Sequence, residues 1–221
     1  MRTKTVIGSA FLLVLAVLVR APLARSSAEF ADTSRPELRA IAALNDCIQE
    51  RFRDIDEKFG ISRIARLDQT PHRFAPENVR EMDAVRLLEQ AGVDAVMYLA
   101  GRRLLAAGLE PPQNSYGWSL VKGPVQITKI STELSAPRAA AIRDDAREAL
   151  IAFGAGRSYE FGETIAGWTM VVRPIRASDA ACLKCHRERS ASRFANPDAP
   201  GPLLRVGDPL GIVVYGYKSA K

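Results

Sequence analysis

The stretch Gly167-Trp168-Thr169-Met170-Val171-Val172-Arg173-Pro174-Ile175 decides how the rest of the chain is read. It is rich in β-branched and aromatic residues and starts on the turn dipeptide Ala166-Gly167, so with residues 159–164 it predicts a hairpin. After it come a Cys-rich turn and a loop over residues 196–202 with Pro, Gly and Asn. A last strand is expected at residues 211–217.

Working back from the hairpin, residues 137–153 carry a helical pattern that Gly154 and Gly156 stop, and residues 125–130 alternate as a strand does. The Pro111-Pro112-Gln113-Asn114-Ser115 run is a loop. Residues 93–108 read two ways: Val93-Asp94-Ala95-Val96-Met97-Tyr98-Leu99 is strand-like, whereas residues 102–107 suit a helix. A helix is expected over residues 77–91, opened by Pro76, with Glu77 and Glu81 where the helix dipole favours anions and Gly92 as its stop. The clearest helix runs from Pro36 to Phe59. Its apolar residues Leu38, Ile41, Leu44, Ile48, Phe52, Ile55 and Phe59 recur at threes and fours, Thr33 or Ser34 caps it, and Gly60 ends it. Helices first and antiparallel strands later predict an α+β fold.

The 221 residues, 47% of them hydrophobic, suffice for one good core and make a single domain over residues 29–221 the expectation. Residues 1–28 have a secretory signal layout. Arg2 and Lys4 precede an apolar run of about 14 residues from Val6 to Val19, shorter than a membrane-spanning helix needs, and Ser26 and Ala28 suit a cleavage site. An uncleaved amino-terminal anchor is the alternative, and would be the chain's one link to a membrane. In both cases the folded part is exported, to a periplasmic or equivalent compartment. The formal charge of +6 owes four of its positive charges to Arg2, Lys4, Arg20 and Arg25 of this segment. The remainder is close to neutral, so the high pI does not point to a nucleic-acid partner.

Three cysteines in an exported chain leave at least one outside any intramolecular disulfide. Two of them stand in Cys182-Leu183-Lys184-Cys185-His186. Thiols two residues apart lie on one side of a single helical turn, where each can form a thioether to a haem vinyl group, and the adjacent histidine reaches the iron from the same side. The spacing therefore predicts one covalent haem c, with His186 as the proximal iron ligand. Zinc fits less well, since the motif offers at most three ligands and no second C-x-x-C exists. A thioredoxin-like pair lacks an obvious βαβ context here, and a plain structural disulfide is the remaining alternative.

With His186 on one face of the iron, the other is open to exogenous ligand or water, or falls to His72, Cys47, Met82, Met97 or Met170. His72 lies in an expected loop, and the methionines suit core positions. Cys47 sits on the first helix about 100° from the centre of its apolar stripe, with Ala40 and Ala43 on the same flank. A free cysteine packed as a small hydrophobe, or an intermolecular disulfide, is the alternative there. Trp118 and Trp168 fit either a haem pocket or the core.

Over residues 168–217 the chain resembles the exported single-haem c proteins with a PAS-like domain, a family long catalogued as a domain of unknown function. The likeness is carried by Val171-Val172-Arg173-Pro174-Ile175, by Ala181 leading into the Cys182 to His186 motif, and by Val206-Gly207-Asp208-Pro209-Leu210-Gly211-Ile212 at the closing strand. The Arg-Asn-Pro-type segment common in the middle of such proteins has no counterpart near residues 117–130. The resemblance implies a PAS-like antiparallel sheet with a long amino-terminal helix and flanking helices. It also implies that Cys47 ligates the iron opposite His186, and that the protein is a redox or small-ligand sensor, for NO or CO, working with a signalling or redox partner protein. A monohaem electron carrier, or a haem enzyme of peroxidase or nitrite type, are the other functional classes; for the enzyme no distal acid–base groups can be pointed to.

Overall fold

In a computed structural model of the chain, residues 35–53, 60–66, 71–102, 123–131, 135–161, 164–183 and 204–220 are described. The expected signal segment, Cys185, His186, Trp118 and the expected 111–115 loop lie outside them. The described elements are α1 (Pro36–Arg51), a 3₁₀ turn (Gly60–Arg63), β1 (Ala65–Arg66), β2 (Arg73–Phe74), α2 (Val79–Gln90), β3 (Val93–Gly101), β4 (Val125–Thr128), α3 (Ala139–Gly154), β5 (Thr169–Arg176) and β6 (Pro209–Ser219). This is an α+β fold around a six-stranded mixed sheet of order β1-β2-β4-β3-β6-β5. Its pairings are antiparallel except β2 with β4. Helices and strands interleave along the chain instead of falling into a helical first half and a β second half.

The pleat of the sheet sorts side chains to two cores. On one face Ala95, Met97 and Leu99 of β3 and Val213, Tyr215 and Tyr217 of β6 meet Ile41, Leu44 and Ile48 of α1 and Leu88 of α2. On the other face Val96, Tyr98 and Ala100 join Met170, Val172, Ile212 and Val214 against Ile142, Ala146, Leu150 and Phe153 of α3. Strand β3 pairs with β4 on one side and β6 on the other, and every one of its residues is buried. That burial on both faces accounts for the apolar character of residues 95–99 and makes residues 93–101 strand, while residues 103–108 of the ambiguous segment lie outside the described set.

Helix α1 starts at Pro36 as its sequence predicts but stops at Arg51, with Phe52 as its C-cap, short of Phe59; residues 54–59 lie outside the described set. The stop has a polar cause. The last-turn carbonyl of Arg51 accepts from the Arg63 guanidinium at 2.6 Å. Arg51 in turn sends its own guanidinium away from α1, to Glu81 and to the carbonyls of Arg63 and Ala75. Helix α2 begins at Val79, two residues later than expected, because the Asn78 side chain accepts from the Glu81 amide at 2.9 Å and caps the helix.

The expected hairpin is only a turn. Ala166 and Gly167 take φ of 53° and 80°, and the bridge from Ile165 to Trp168 closes over them. Such a pair of left-handed residues is what a two-residue turn between antiparallel arms requires. Tyr159 and Phe161 are not in a strand; they stack edge to face, and the Tyr159 hydroxyl donates to Asp145 of α3 at 2.8 Å. Strand β5 takes its pairing from β6 instead, along its whole length.

Candidate functional site

Strand β5 carries the chain to the end of the sheet where β6 begins and β3 ends, and the Cys182 motif starts just beyond it. Gly211 faces both Gly101 and Ile175 in register there. A Cβ on Gly211 would stand 2.5 Å from the Ala100 carbonyl oxygen, so only glycine lets the strands close this tightly.

After β5 the chain is held from both sides. The Ala177 amide donates to the Asp208 carbonyl at 2.9 Å, the Gly207 amide donates back to the Ala177 carbonyl at 2.8 Å, and the Arg176 guanidinium donates to the Gly207 carbonyl at 3.0 Å. From the α1 side, the Gln49 amide group donates to the Arg176 carbonyl at 2.8 Å and its oxygen accepts from the Arg176 amide at 2.9 Å. The next step is a helical turn over residues 180–183. The Asp179 carboxylate caps it, accepting from the Ala181 amide at 2.8 Å and the Cys182 amide at 3.2 Å. The Cys182 amide, helped by that of Ala181, holds the Asp179 carboxyl below the usual carboxylate range.

Cys182 is buried in a small apolar cluster with Ala177, Leu183 and Leu210, against which Leu204 packs. Its sulfur lies 3.5 Å from the Ser178 hydroxyl. Cys182 thus sits in a capped helical turn, packed in apolar surroundings at the end of the sheet. Cys185 and His186, the other donors of the motif, lie outside the described residues.

Cys47 is elsewhere. It is buried on α1, yet among the described residues it belongs to neither core cluster. Arg51, one turn on from it, bonds Glu81 of α2, so this flank of α1 faces α2. Burial pushes the Cys47 thiol up, with Arg80 opposing and Glu81, Glu50 and Asp46 adding to the rise. Gln49 leaves the same helix about 200° of rotation further round, towards β5. Cys47 lies on α1 and Cys182 in the turn beyond β5, and the Gln49 bonds link the two segments.

The other sequence candidates separate clearly. His72 is half-buried beside β2, and its carbonyl accepts from the Gln126 amide at 2.8 Å. Strand β2 is four places from β5 in the sheet, roughly 19 Å at the usual strand spacing. Met97 and Met170 are core residues on opposite faces, and Met82 is exposed on α2. Trp168 is wholly buried under α3, with its indole N–H donating to the Ser135 carbonyl at 2.7 Å. Sequence reading missed Gln49 and Asp179. Asp179 three residues before Cys182 has the spacing of a helix cap, whereas Gln49 carries no sequence signal because its partner is remote.

A cavity of about 510 Å³ opens at the opposite end of the sheet, walled in part by Arg35, Glu37, Tyr217 and Lys218. Its cations are engaged within the protein. Arg35 bonds Glu37 at 2.7 Å and lies over the Tyr217 ring, and Lys218 lies over Trp168.

Comparison with family profiles, with curated proteins and with solved structures finds no match for the chain, so the chemistry of the site rests on its own residues.

Proposed function

We propose that this chain is an exported, periplasmic c-type haem protein that senses redox state or a small ligand such as NO or CO. The observation that carries the reading is the Cys182-Leu183-Lys184-Cys185-His186 motif, whose first cysteine lies in an apolar cluster in a capped helical turn. Cys182 and Cys185 would hold the haem by thioethers, and His186 would ligate its iron. Bound there, the haem supplies a one-electron centre able to take a diatomic ligand. A PAS-like sheet is the finer reading of the α+β fold, supported by the central pairing of β3 with the C-terminal β6 and by helices on both faces.

Cys47 is the proposed ligand opposite His186. It is buried outside both core clusters, on the helix that Gln49 bonds to the strand leading into Cys182. A thiolate donates electron density and favours ferric iron, so Cys47 would hold less firmly after reduction and yield its place to NO or CO. Movement of α1 against the sheet would then carry the signal to a partner protein.

Expression with haem-maturation machinery tests this directly. The wild type should keep its haem on a denaturing gel, and Cys182→Ala with Cys185→Ala should lose it. Cys47→Ala should alter the ferric absorption and EPR spectra; unchanged ferric and ferrous spectra would remove Cys47 from the iron. A wild type that stays six-coordinate and ignores NO and CO is an electron carrier.

A further inference from the structure

We infer that Gln49 is a positioning residue that locks the height and rotation of α1, the helix of Cys47, against the strand end leading into Cys182. The inference rests on the haem reading for its functional consequence, and on hydrogen bonds for its geometry.

The two bonds from Gln49 to Arg176 join residues 127 apart in sequence. They form at a singular point of the sheet. The β5–β6 register shifts between Ile175 and Arg176, and the register partner of Arg176 is Pro209. Strand β5 is the edge of the sheet, and since the Ala177 amide and carbonyl both bond residues 207 and 208 on the β6 side, the N–H and C=O of Arg176 face the open side, where the Gln49 amide supplies the donor for the carbonyl. The Gln49 oxygen takes the Arg176 amide at the same time. A primary amide is the one side-chain type of this length with a donor and an acceptor side by side, as a backbone neighbour would offer.

A second contact keeps α1 in the same rotation. The Tyr215 hydroxyl donates to the Asn45 side-chain oxygen at 3.3 Å, and Asn45 lies one turn before Gln49 on that flank. With this flank tied to β5 and β6, Cys47 is directed to the other side of the helix. Any change in Cys47 that turns or lifts α1 has to strain the Gln49 bonds, and these end six residues before Cys182. Gln49 thereby joins the two sulfurs mechanically.

The sharp variant is Gln49→Glu, which keeps the shape, loses the donor and sets a carboxylate against the Arg176 carbonyl. Gln49→Ala removes both bonds. Tyr159→Phe, which removes the hydrogen bond to Asp145 of α3 on the opposite face of the sheet, is the control for a comparable loss of stability at a distance. Both Gln49 variants should retain covalent haem. They should shift the ferric EPR signal and speed CO association to the reduced protein by about threefold to tenfold, the range that one or two net hydrogen bonds produce. Amide exchange at residues 177–183 should accelerate in both, and Tyr159→Phe should change none of these. Wild-type spectra and CO rates in both Gln49 variants would overturn the coupling. A wild type without covalent haem would end the haem reading alone, because exchange at residues 177–183 still decides whether Gln49 positions that segment. Exchange unchanged in both variants would overturn the positioning role itself.

Discussion

Asp94 illustrates how much one residue settles. It is fully buried on β3, where the residue types around it predict only an apolar strand. Its carboxylate accepts from the Ile130 amide at 2.6 Å, the Ser131 amide at 3.2 Å and the Ser131 hydroxyl, and so pins the chain leaving β4. Burial alone would push the carboxyl up, but the Ser131 hydroxyl and the two amides outweigh it and hold the carboxyl below its ordinary range. A depressed folded-state value means that the stabilisation is present above the unfolded value near pH 4 and is lost as pH falls through the folded value. Asp94→Asn should therefore cost about 1–3 kcal/mol at neutral pH, with the gap to the wild type closing in acid below about pH 4. Urea titrations at a series of pH values check this. Nothing near Asp94 in sequence announces the role, because Ser131 becomes its partner only when β4 lies beside β3.

At the scale of elements, α1 and α2 are joined by a polar knot as well as by their apolar faces. The Arg51 guanidinium, nearly buried, bonds the wholly buried Glu81, and Glu81 also takes the Glu77 amide at 2.7 Å. The Arg51 cation lies 5.4 Å from the Phe74 ring centroid. A buried pair of this kind offsets its own desolvation and little more, but a single member left alone is an uncompensated charge. Arg51→Met should destabilise by about 3–5 kcal/mol, and Arg51→Met combined with Glu81→Leu should recover much of that loss. Chemical denaturation of the two variants measures it, and an additive double variant would show that the pair does not act as a unit. The same knot accounts for the early end of α1. Helical periodicity extends the apolar pattern to Phe59, but periodicity does not register an arginine on a later turn that takes the Arg51 carbonyl.

For the whole molecule, the decisive feature is a sheet covered on both faces. Strands β3 and β6 feed both cores with alternate residues, so neither core can open without the other. Leu88 beneath α2 and Leu150 beneath α3 lie on opposite sides of the sheet. Leu88→Ala and Leu150→Ala should each cost about 2–5 kcal/mol and shift a single unfolding transition. Tryptophan fluorescence and far-ultraviolet circular dichroism should report that transition at the same denaturant concentration. Separate midpoints would mean that the two faces unfold independently.

What the sequence by itself determined is local. The helix starts at Pro36, near Val79 and near Ala139, the strand character of residues 169–175 and 211–217, and the Cys182 to His186 spacing all follow from neighbours within a turn or two. Tertiary structure decided the rest. It made residues 93–101 the central strand, drew Tyr159 to α3 instead of into a hairpin, ended α1 at Arg51 and turned Cys47 towards α2. It also joined Gln49 to Arg176. The physical reason is common to all of these. Periodicity and capping report which side of an element is apolar and where it stops alone, whereas buried polar groups take whichever donor or acceptor the folded chain brings within hydrogen-bond reach.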